Sequence, residues 1–446
     1  MGYSNIYSNK PFERASKTAH TEIINDETVK KFIENCWIPA SESDEKDIDL
    51  IRTTIDISDN NNIRNIVAVD GGYRNEIIKN EFPSATMAFF QFGVLFFKHK
   101  DLIDLKQKPF IDPDDMAKLQ EIQRFKLVIP TKGMTYCGEA NLTNSVRLAI
   151  YEFFMNSIEE NGLMKALKWL IFSEYESERD EWFLSSCPCC SPENNGGVKI
   201  RRRELDNKYT IKCPRCGQKI YLTDVFRLHE AIDDELGAGG ILGYVTTAFE
   251  QLLIVYLIKT ILEIKPEILK ETIFIKDGPL AYFGQTARIH QPMRELINYL
   301  NAKYTINLIG LEKSGSFVEH AASISDRLEE RDAMILNNRY IYKYIIPGDI
   351  NSNDPYASTS YYGAKVIYKS QYENIYVATI PTKEALVSPK LSDLINAEIV
   401  LNTVADLKCD LYYNSLIPVV LANKLVSLAD HPSSDILKTF AKEKLT

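Results

Sequence analysis

Two strand-like runs that stop at an Asp-Gly pair place the strongest constraint on how this chain folds. NIVAVDGG contains Asp70, and IFIKDGPL contains Asp277. Both runs are rich in β-branched and apolar residues, which predicts buried strands. A carboxylate at the end of a buried strand needs either the hydrogen bonds of a turn or a cation. Asp-Gly alone most often starts a turn, but two such aspartates on equivalent strands favour a shared cation site.

The order of the predicted elements indicates the fold class. NIVAVDGG, SATMAFFQFGVLFFKHK and FKLVIPTK follow closely on one another, which favours an antiparallel meander. After two helices over 141–176 and a buried helix over 245–263, the chain reads strand, helix, strand from ETIFIKDGPL to TINLIGLEKSG, which predicts a parallel pair. This order is that of an RNase H-like mixed α/β sheet with helices on both faces. In that fold the first strand lies beside the fourth, so Asp70 and Asp277 would be neighbours.

Local signals predict several further elements. Asp26 is placed to cap a helix over 26–37, and DPDDMAKLQEI indicates an acidic helix before the third strand. Another acidic helix is predicted around 224–236. RYIYKYIIPGD, YYGAKVIYK and NIYVATIPT are typical of antiparallel strands, and the tail over 396–443 predicts two helical stretches.

Length and charge limit the class of protein. At 446 residues the chain fits one large elaborated domain or two to three modules. We expect an N-terminal extension over 1–60, a core over 61–180 and 221–446, and an inserted module over 181–220. The 61 acidic and 52 basic residues give a formal charge of −9, which argues against broad coating of DNA but leaves room for a local basic channel.

Several function classes lack their sequence signals. No apolar run approaches the roughly 18 residues of a membrane span, and the N-terminus has no apolar signal segment, so we expect neither a membrane helix nor secretion. There is no Walker A sequence, so any motor would be another protein. The scattered cysteines outside one cluster indicate a reducing cytoplasm.

The cysteine cluster predicts a structural zinc ion. CPCC and CPRCG provide Cys187, Cys190, Cys213 and Cys216 as two Cys-x2-Cys knuckles, a spacing that holds zinc tetrahedrally. Cys189 is the ambiguous neighbour, and an oxidation-sensitive or vestigial cluster is the alternative. Between the knuckles, GGVKIRRRELDNKYTIKC alternates like one hairpin of a zinc ribbon. Its Lys199, Arg201, Arg202 and Arg203 would either contact phosphates or form a solvated face.

The paired aspartates predict a divalent-metal centre. Two adjacent carboxylates repel unless a cation bridges them, and nuclease centres use such ions to activate water and stabilise phosphate charge. Glu250, the lone acid in VTTAFEQLLIVYLI, is the best third acid, because a buried carboxylate needs a partner. Its alternative is an exposed end of the apolar face; Glu139 and Glu230 are weaker candidates. Lys313 would hold the scissile phosphate or be a solvated loop lysine.

Four of these stretches resemble a known family. VAVDGGYRN, FEQLL, IFIKDGPL and IGLEKSGS are similar to motifs of the NurA nuclease family, over roughly residues 60–440. The resemblance implies an RNase H-like fold, a homodimer and manganese-dependent cutting of DNA. It also implies a HerA-type hexameric ATPase partner in DNA end processing or phage defence. It places the metal-binding acids on Asp70, Glu250 and Asp277, and the basic residue on Lys313.

The C-terminal motif departs from the family pattern. In YYNSLIPVVLANK, Asn423 stands where the family has a histidine, and Ser415 stands where it has a tyrosine, unless Tyr412 or Tyr413 substitutes. Asparagine can coordinate a metal but cannot transfer a proton. The sequence therefore predicts a Mn²⁺- or Mg²⁺-dependent deoxyribonuclease with a zinc ribbon. The alternatives are a catalytically weak DNA-binding or adaptor subunit of a HerA-type complex, or RNA as the substrate.

Overall fold

One large mixed sheet forms the centre of the molecule. The computed structural model describes residues 18–40, 43–57, 61–100, 122–176, 179–190, 193, 196–409, 415–428 and 433–445. Its strands are β1 Arg52–Thr54, β2 Asn65–Lys79, β3 Ala85–Lys98, β4 Ile122–Lys132, β5 Glu181–Leu184, β6 Val198–Arg201, β7 Thr210–Lys212, β8 Lys219–Tyr221, β9 Thr272–Asp277, β10 Asn307–Glu312, β11 Asp332–Ile335, β12 Gly363–Lys369 and β13 Ile375–Pro381.

Nine of the described strands join this sheet in the order β1-β11-β12-β13-β10-β9-β2-β3-β4. β2, β3 and β4 are the antiparallel meander. β9 lies parallel to β2 on its other side, and β10 lies parallel to β9. This topology confirms the predicted RNase H-like core, which β11–β13 and β1 extend through antiparallel pairs.

Helices cover both faces of the sheet, as predicted. They are α1 Thr18–Asn25, α2 Glu27–Glu34, α3 Glu45–Asp49, α4 Leu142–Asn156, α5 Gly162–Ile171, α6 Leu242–Ile264, α7 His290–Lys303, α8 Ser316–Ile324, α9 Asn338–Tyr344, α10 Ala397–Asp406, α11 Ile417–Val426 and α12 Ser433–Leu445. Because side chains alternate along a strand, Val67 and Val69 of β2 pack under α4–α7, whereas Ile66 and Ala68 pack under α10 and α11.

Helix α6 is more apolar than the sequence analysis predicted. The most apolar 18-residue window within Gly239–Ile264 has a mean hydropathy of 1.7, and by length and composition alone this helix could cross a membrane. The expectation that no run reaches this length was therefore wrong. Within the fold, 67% of its most apolar window is buried. It is the core helix of the layer that packs on β2 and β3.

Several local predictions hold and others do not. Asp26 accepts hydrogen bonds from the Thr28 and Val29 amides and caps α2. RYIYKY was expected as a strand but forms α9, because the Asn337 side chain caps the Tyr340 amide. Residues 224–236 form short 3₁₀ turns in place of a helix. The described part of the tail contains three helices, whereas two were predicted. DPDDMAKLQEI lies largely outside the described residues.

The inserted module folds as two small hairpins. β5 pairs with β6, and β7 pairs with β8. The prediction that the stretch between the knuckles forms one hairpin is therefore wrong. Each Cys-x2-Cys knuckle instead lies between two strands that pair with each other. The domain boundaries themselves stay predictions, although β1 shows that the segment before residue 60 contributes an edge strand to the main sheet.

A buried ion pair joins α4 to the segment that follows this module. Arg147 of α4 donates from Nε and Nη2 to both carboxylate oxygens of Asp224, at 2.8 and 2.7 Å. The side chains are only 5% and 3% exposed. A charge that loses its partner at such a site remains buried and uncompensated.

We predict that Asp224→Asn lowers the free energy of unfolding by roughly 3 kcal/mol, because Arg147 keeps its charge without a counterion. Urea unfolding followed by tryptophan fluorescence would measure the change. Glu27→Gln, which breaks the exposed Lys30–Glu27 pair, is the matched control and should leave stability unchanged. Equal effects of the two substitutions would contradict the prediction.

Candidate active site and metal centre

The structure brings the two Asp-Gly aspartates together. Val69 of β2 is the register partner of Lys276 on the parallel strand β9, and Asp70 and Asp277 are the next residues on the two strands. The negative charge of Asp277 acts directly on the Asp70 carboxyl. The predicted adjacency of residues that are 207 positions apart is therefore confirmed by the strand pairing.

The two motifs differ in local structure. Asp277 ends β9, and Gly278 follows with φ +86°, so this Asp-Gly does turn the chain. Asp70 does not end a strand, because β2 continues straight through it to Lys79. The glycine after Asp70 has another reason: a Cβ on Gly71 would stand 2.8 Å from the Phe92 ring and 3.1 Å from Glu250 Oε1.

Glu250 reaches this junction from the opposite face of the sheet. Its side chain is buried on α6, and its Oε2 accepts from Lys276 Nζ at 2.8 Å. Burial raises the pKa of Glu250 above its ordinary value; Lys276 opposes that shift, and the charge of Asp277 adds to it. Because Glu250 is buried, the alternative that it lies at an exposed end of the apolar helix face is excluded.

The two weaker candidates for the third acid do not belong to this group. Glu230 pairs with Arg227 and accepts hydrogen bonds from Ser185 and Ser186, near the cysteine module. Glu139 is partly buried and precedes α4. Neither is among the main charges that act on Asp70, which are Asp277, Glu250 and Lys313.

The carboxyl group of Asp70 has a strongly raised pKa. Burial, followed by the charges of Asp277 and Glu250, raises its pKa to about 7, although Lys313 and the Gly71 amide oppose the shift. Oδ1 accepts from the Gly71 amide at 2.8 Å. Oδ2 is buried and has no hydrogen-bond partner among the described residues. A divalent cation would satisfy that oxygen and offset the repulsion, so the residues present fit a hard metal ion.

Lys313 joins the acids to a cavity. Its Nζ lies 2.7 Å from Asp277 Oδ2, at the end of β10. A cavity of about 270 Å³ is lined by Lys313, Ser415, Val420, Asn423 and Lys424. The structure thus places Asn423 and Ser415 beside the predicted lysine, on the α11 side of the sheet. Tyr412 and Tyr413 lie outside the described residues.

Two further basic residues were missed by the sequence analysis. Lys276, at 2% exposure, is fully buried within the acid group, and Lys424 lines the cavity. A lysine inside IFIKDG is a signal for Lys276, since a buried strand rarely holds an unpaired ammonium. For Lys424 the sequence offers no signal, because it stands on an ordinary polar face of α11.

The four predicted cysteines form a compact cluster. Their Sγ atoms all lie within 4.8 Å of one another. Cys187 and Cys216 are 3.9 Å apart, and Cys190 and Cys213 are 3.8 Å apart. Zn–S bonds of about 2.3 Å in a tetrahedron give sulfur separations of ~3.8 Å. Disulfide bonding requires about 2.05 Å, so the cluster has the geometry of a closed four-thiolate metal site.

Charge around the cluster is consistent with metal binding. Burial opposes ionisation of Cys213, but the amides of Cys216 and Arg215 outweigh it and lower the pKa of Cys213 to about 7. Cys189 stands outside the group of four and accepts from Arg147. Of the predicted basic face, Lys199 and Arg201 pair with Glu181, and Arg202 lies 3.7 Å from Glu174. These acids offset the charge that phosphate binding would need.

Comparisons with known proteins are sparse. No family model and no curated protein matches the chain. Among solved structures, it is similar to the NurA nuclease from Sulfolobus solfataricus, at 8% identity and a TM-score of 0.35, over 97% of this chain and 98% of that chain. A second NurA structure has 10% identity and a TM-score of 0.28, over 95% of each chain. Both belong to the family that the four motifs resemble; the fold assignment itself rests on the strand order.

We predict that the chain purified without chelators carries one Zn²⁺ at the cysteine cluster and that Cys213→Ser loses it, because four thiolates complete the tetrahedron. Elemental analysis of the purified protein measures the ratio. Cys36→Ser, an exposed cysteine elsewhere, and Cys189→Ser are the controls and should keep the ion. Retention of zinc by Cys213→Ser would refute the assignment.

We also predict that Asp70→Asn stabilises the metal-free chain at pH 8. The raised pKa means that the fold favours the protonated acid, so stability is lost as pH rises from about 4 through about 7. In EDTA at pH 8 the variant should gain about 1–3 kcal/mol, and at pH 4 almost nothing. Thermal unfolding measures both. Adding Mn²⁺ at pH 8 should make the wild type the more stable of the two proteins. If Asp70→Asn is less stable than the wild type in EDTA at pH 8, the prediction is wrong.

Proposed function

We propose that this chain is a metal-dependent nuclease with an active site at the junction of β2, β9 and β10. The observation that carries the proposal is the buried Asp70 carboxylate, which has an unpartnered oxygen and lies beside Asp277 and Glu250. A structural role would leave that oxygen satisfied, because an unmet buried acceptor costs stability. A site built to receive a cation would leave it open.

Asp70, Glu250 and Asp277 would hold Mn²⁺ or Mg²⁺. Bound there, such an ion activates water and stabilises the charge that develops on a phosphodiester. The protein supplies the placement. β2 and β9 hold the two aspartates on adjacent strands, and the missing side chain of Gly71 lets Glu250 approach from the other face.

The adjoining cavity fits a phosphodiester. Lys313 and Lys424 contribute positive charge, Asn423 and Ser415 contribute hydrogen-bonding groups, and Val420 contributes an apolar wall. Lys313 contacts both the cavity and Asp277, so it is placed to hold the phosphate beside the ion. Asn423 can bind or orient the substrate but cannot transfer a proton, so a solvent water would protonate the leaving oxygen.

DNA is the proposed substrate, and a HerA-type ATPase and a second copy of the chain are the proposed partners. The four motifs that resemble the NurA family support these assignments, together with the lack of any ATPase motif in this sequence. The reactions proposed are DNA end processing or phage defence, in a reducing cytoplasm. The eight cysteines, all within the described residues, form no disulfide, which supports that compartment.

We predict that the purified chain cuts double-stranded DNA in Mn²⁺ or Mg²⁺ and that Asp70→Ala, Asp277→Ala and the double variant lose at least ~100-fold of the rate. Linear and circular DNA and single-stranded RNA would be compared across a metal titration, with and without a HerA-type ATPase. Cutting of linear DNA alone would identify an end-dependent enzyme.

Asp349→Ala is the matched control, because Asp349 is an exposed turn residue whose side chain accepts only from the local Asn351 amide in the described structure. It should cut at the wild-type rate. Undiminished cleavage by the double variant would exclude this active site. A chain that binds the ATPase and DNA but never cuts would be the adaptor, with its carboxylates serving only the fold.

A further inference from the structure

A lysine occupies the middle of the acid group. Lys276 immediately precedes Asp277 on β9, and its side chain is 2% exposed. Its ammonium lies 2.8 Å from Glu250 Oε2 and also donates to the backbone carbonyl of Asp277. These two contacts hold the ammonium inside the site.

The sheet separates the charges of the site into two groups. Phe274 packs on the α6 side, and Ile273 and Ile275 pack on the other. By strand alternation Lys276 therefore faces Glu250, whereas Asp277 faces the α11 side together with Asp70. On the α6 side, Glu250 already holds the Lys276 ammonium. On the other side, Lys313 binds Asp277, and Asp70 Oδ2 has no hydrogen-bond partner among the described residues.

The two oxygens of Glu250 face different neighbours. Oε2 is bound by Lys276. Oε1 lies next to Gly71, in the space that a side chain at this position would fill, and the charge of Glu250 acts on Asp70. The carboxylate can therefore contact an ion beside Asp70 with one oxygen while the other stays on the ammonium.

Charge balance limits how many ions the site accepts. Three carboxylates and the ammonium groups of Lys276 and Lys313 leave one net negative charge. One divalent ion makes the site singly positive, which suits a phosphodiester. Two ions would leave the buried site with a net charge of three positive units, at a large electrostatic cost.

We propose that the ammonium of Lys276 takes the place of a second divalent cation on Glu250, so that the active site binds one metal ion per chain. The inference rests on the proposed function. Lys276 is then a positioning residue: it fixes Glu250 against Gly71 and supplies positive charge on the α6 side. In a two-metal centre, a second divalent ion would supply the positive charge that Lys276 supplies here.

The test is a count of bound Mn²⁺ on the full, zinc-loaded chain by calorimetry and by the EPR signal of free Mn²⁺. We expect one Mn²⁺ per chain in the wild type and none in Asp70→Asn. Lys276→Gln, which removes the charge but keeps a donor, should bind two. At a Mn²⁺ concentration that saturates the wild type its cleavage rate should fall about 10- to 100-fold, and it should recover at higher Mn²⁺.

Two variants control for folding. Lys276→Arg keeps the charge and should still bind one ion. Lys365→Met removes another fully buried lysine, which is paired with Glu312, so it should lower the melting temperature and leave the count at one. If Lys276→Gln behaves like Lys365→Met, Lys276 serves only the fold and the inference is wrong.

The wild-type count also separates this inference from the proposed function. Two ions per chain together with cleavage would overturn the role of Lys276 and leave the nuclease in place. One ion without cleavage of any nucleic acid would support the charge argument and overturn the nuclease. No bound ion would overturn both.

Discussion

Repulsion among three carboxylates, of which Asp70 and Glu250 are buried, is the constraint around which the site at the junction of β2 and β9 is arranged. Each neighbouring group offsets part of it: the Gly71 amide on Asp70, Lys276 on Glu250 and Lys313 on Asp277. The compensation stops short of Asp70 Oδ2. A rigid sheet holds Asp70 and Asp277 in adjacent register, so these two acids cannot move apart. A bound cation would offset the repulsion that remains between them.

The fold produces this arrangement through strands of unequal length. β2 runs past Asp70 to pair with β3, whereas β9 ends at Asp277. Beyond that point no described strand pairs with β2 on the β9 side, and the end of α11 crosses β2, with Val426 against Gly72 and Gly93. An open edge beside buried acids is what a phosphodiester requires to approach them, and the same edge is where Lys313, Asn423 and Lys424 line the cavity.

Sequence reasoning reached the parts of this site that depend on strand order and burial. The close spacing of β2–β4 and the crossover through α7 predict the neighbouring aspartates, and the lone acid in α6 predicts Glu250. Sequence reasoning failed where one local pattern is compatible with two different structures. Asp-Gly reads as a turn, but at Asp70 the glycine serves a close approach by Glu250. RYIYKY alternates like a strand, yet the Asn337 cap starts a helix there. Lys276 was missed because a single strand does not show which helix covers it.

The two candidate metal sites differ in how fully their ligand sets are formed. That difference supports a structural role for the cysteine cluster and a catalytic role for the acid group. The cysteine cluster offers four ligands at tetrahedral spacing, which leaves no position for a substrate, so its ion would hold the two hairpins together. The acid group offers carboxylates that are partly engaged by lysines and one oxygen that is not engaged at all. A site of this kind is costly for the metal-free fold, since the charge on Asp70 destabilises it above pH 7. A chain under selection for stability alone would replace Asp70 by asparagine. The buried carboxylate therefore supports the proposal that this site binds a cation.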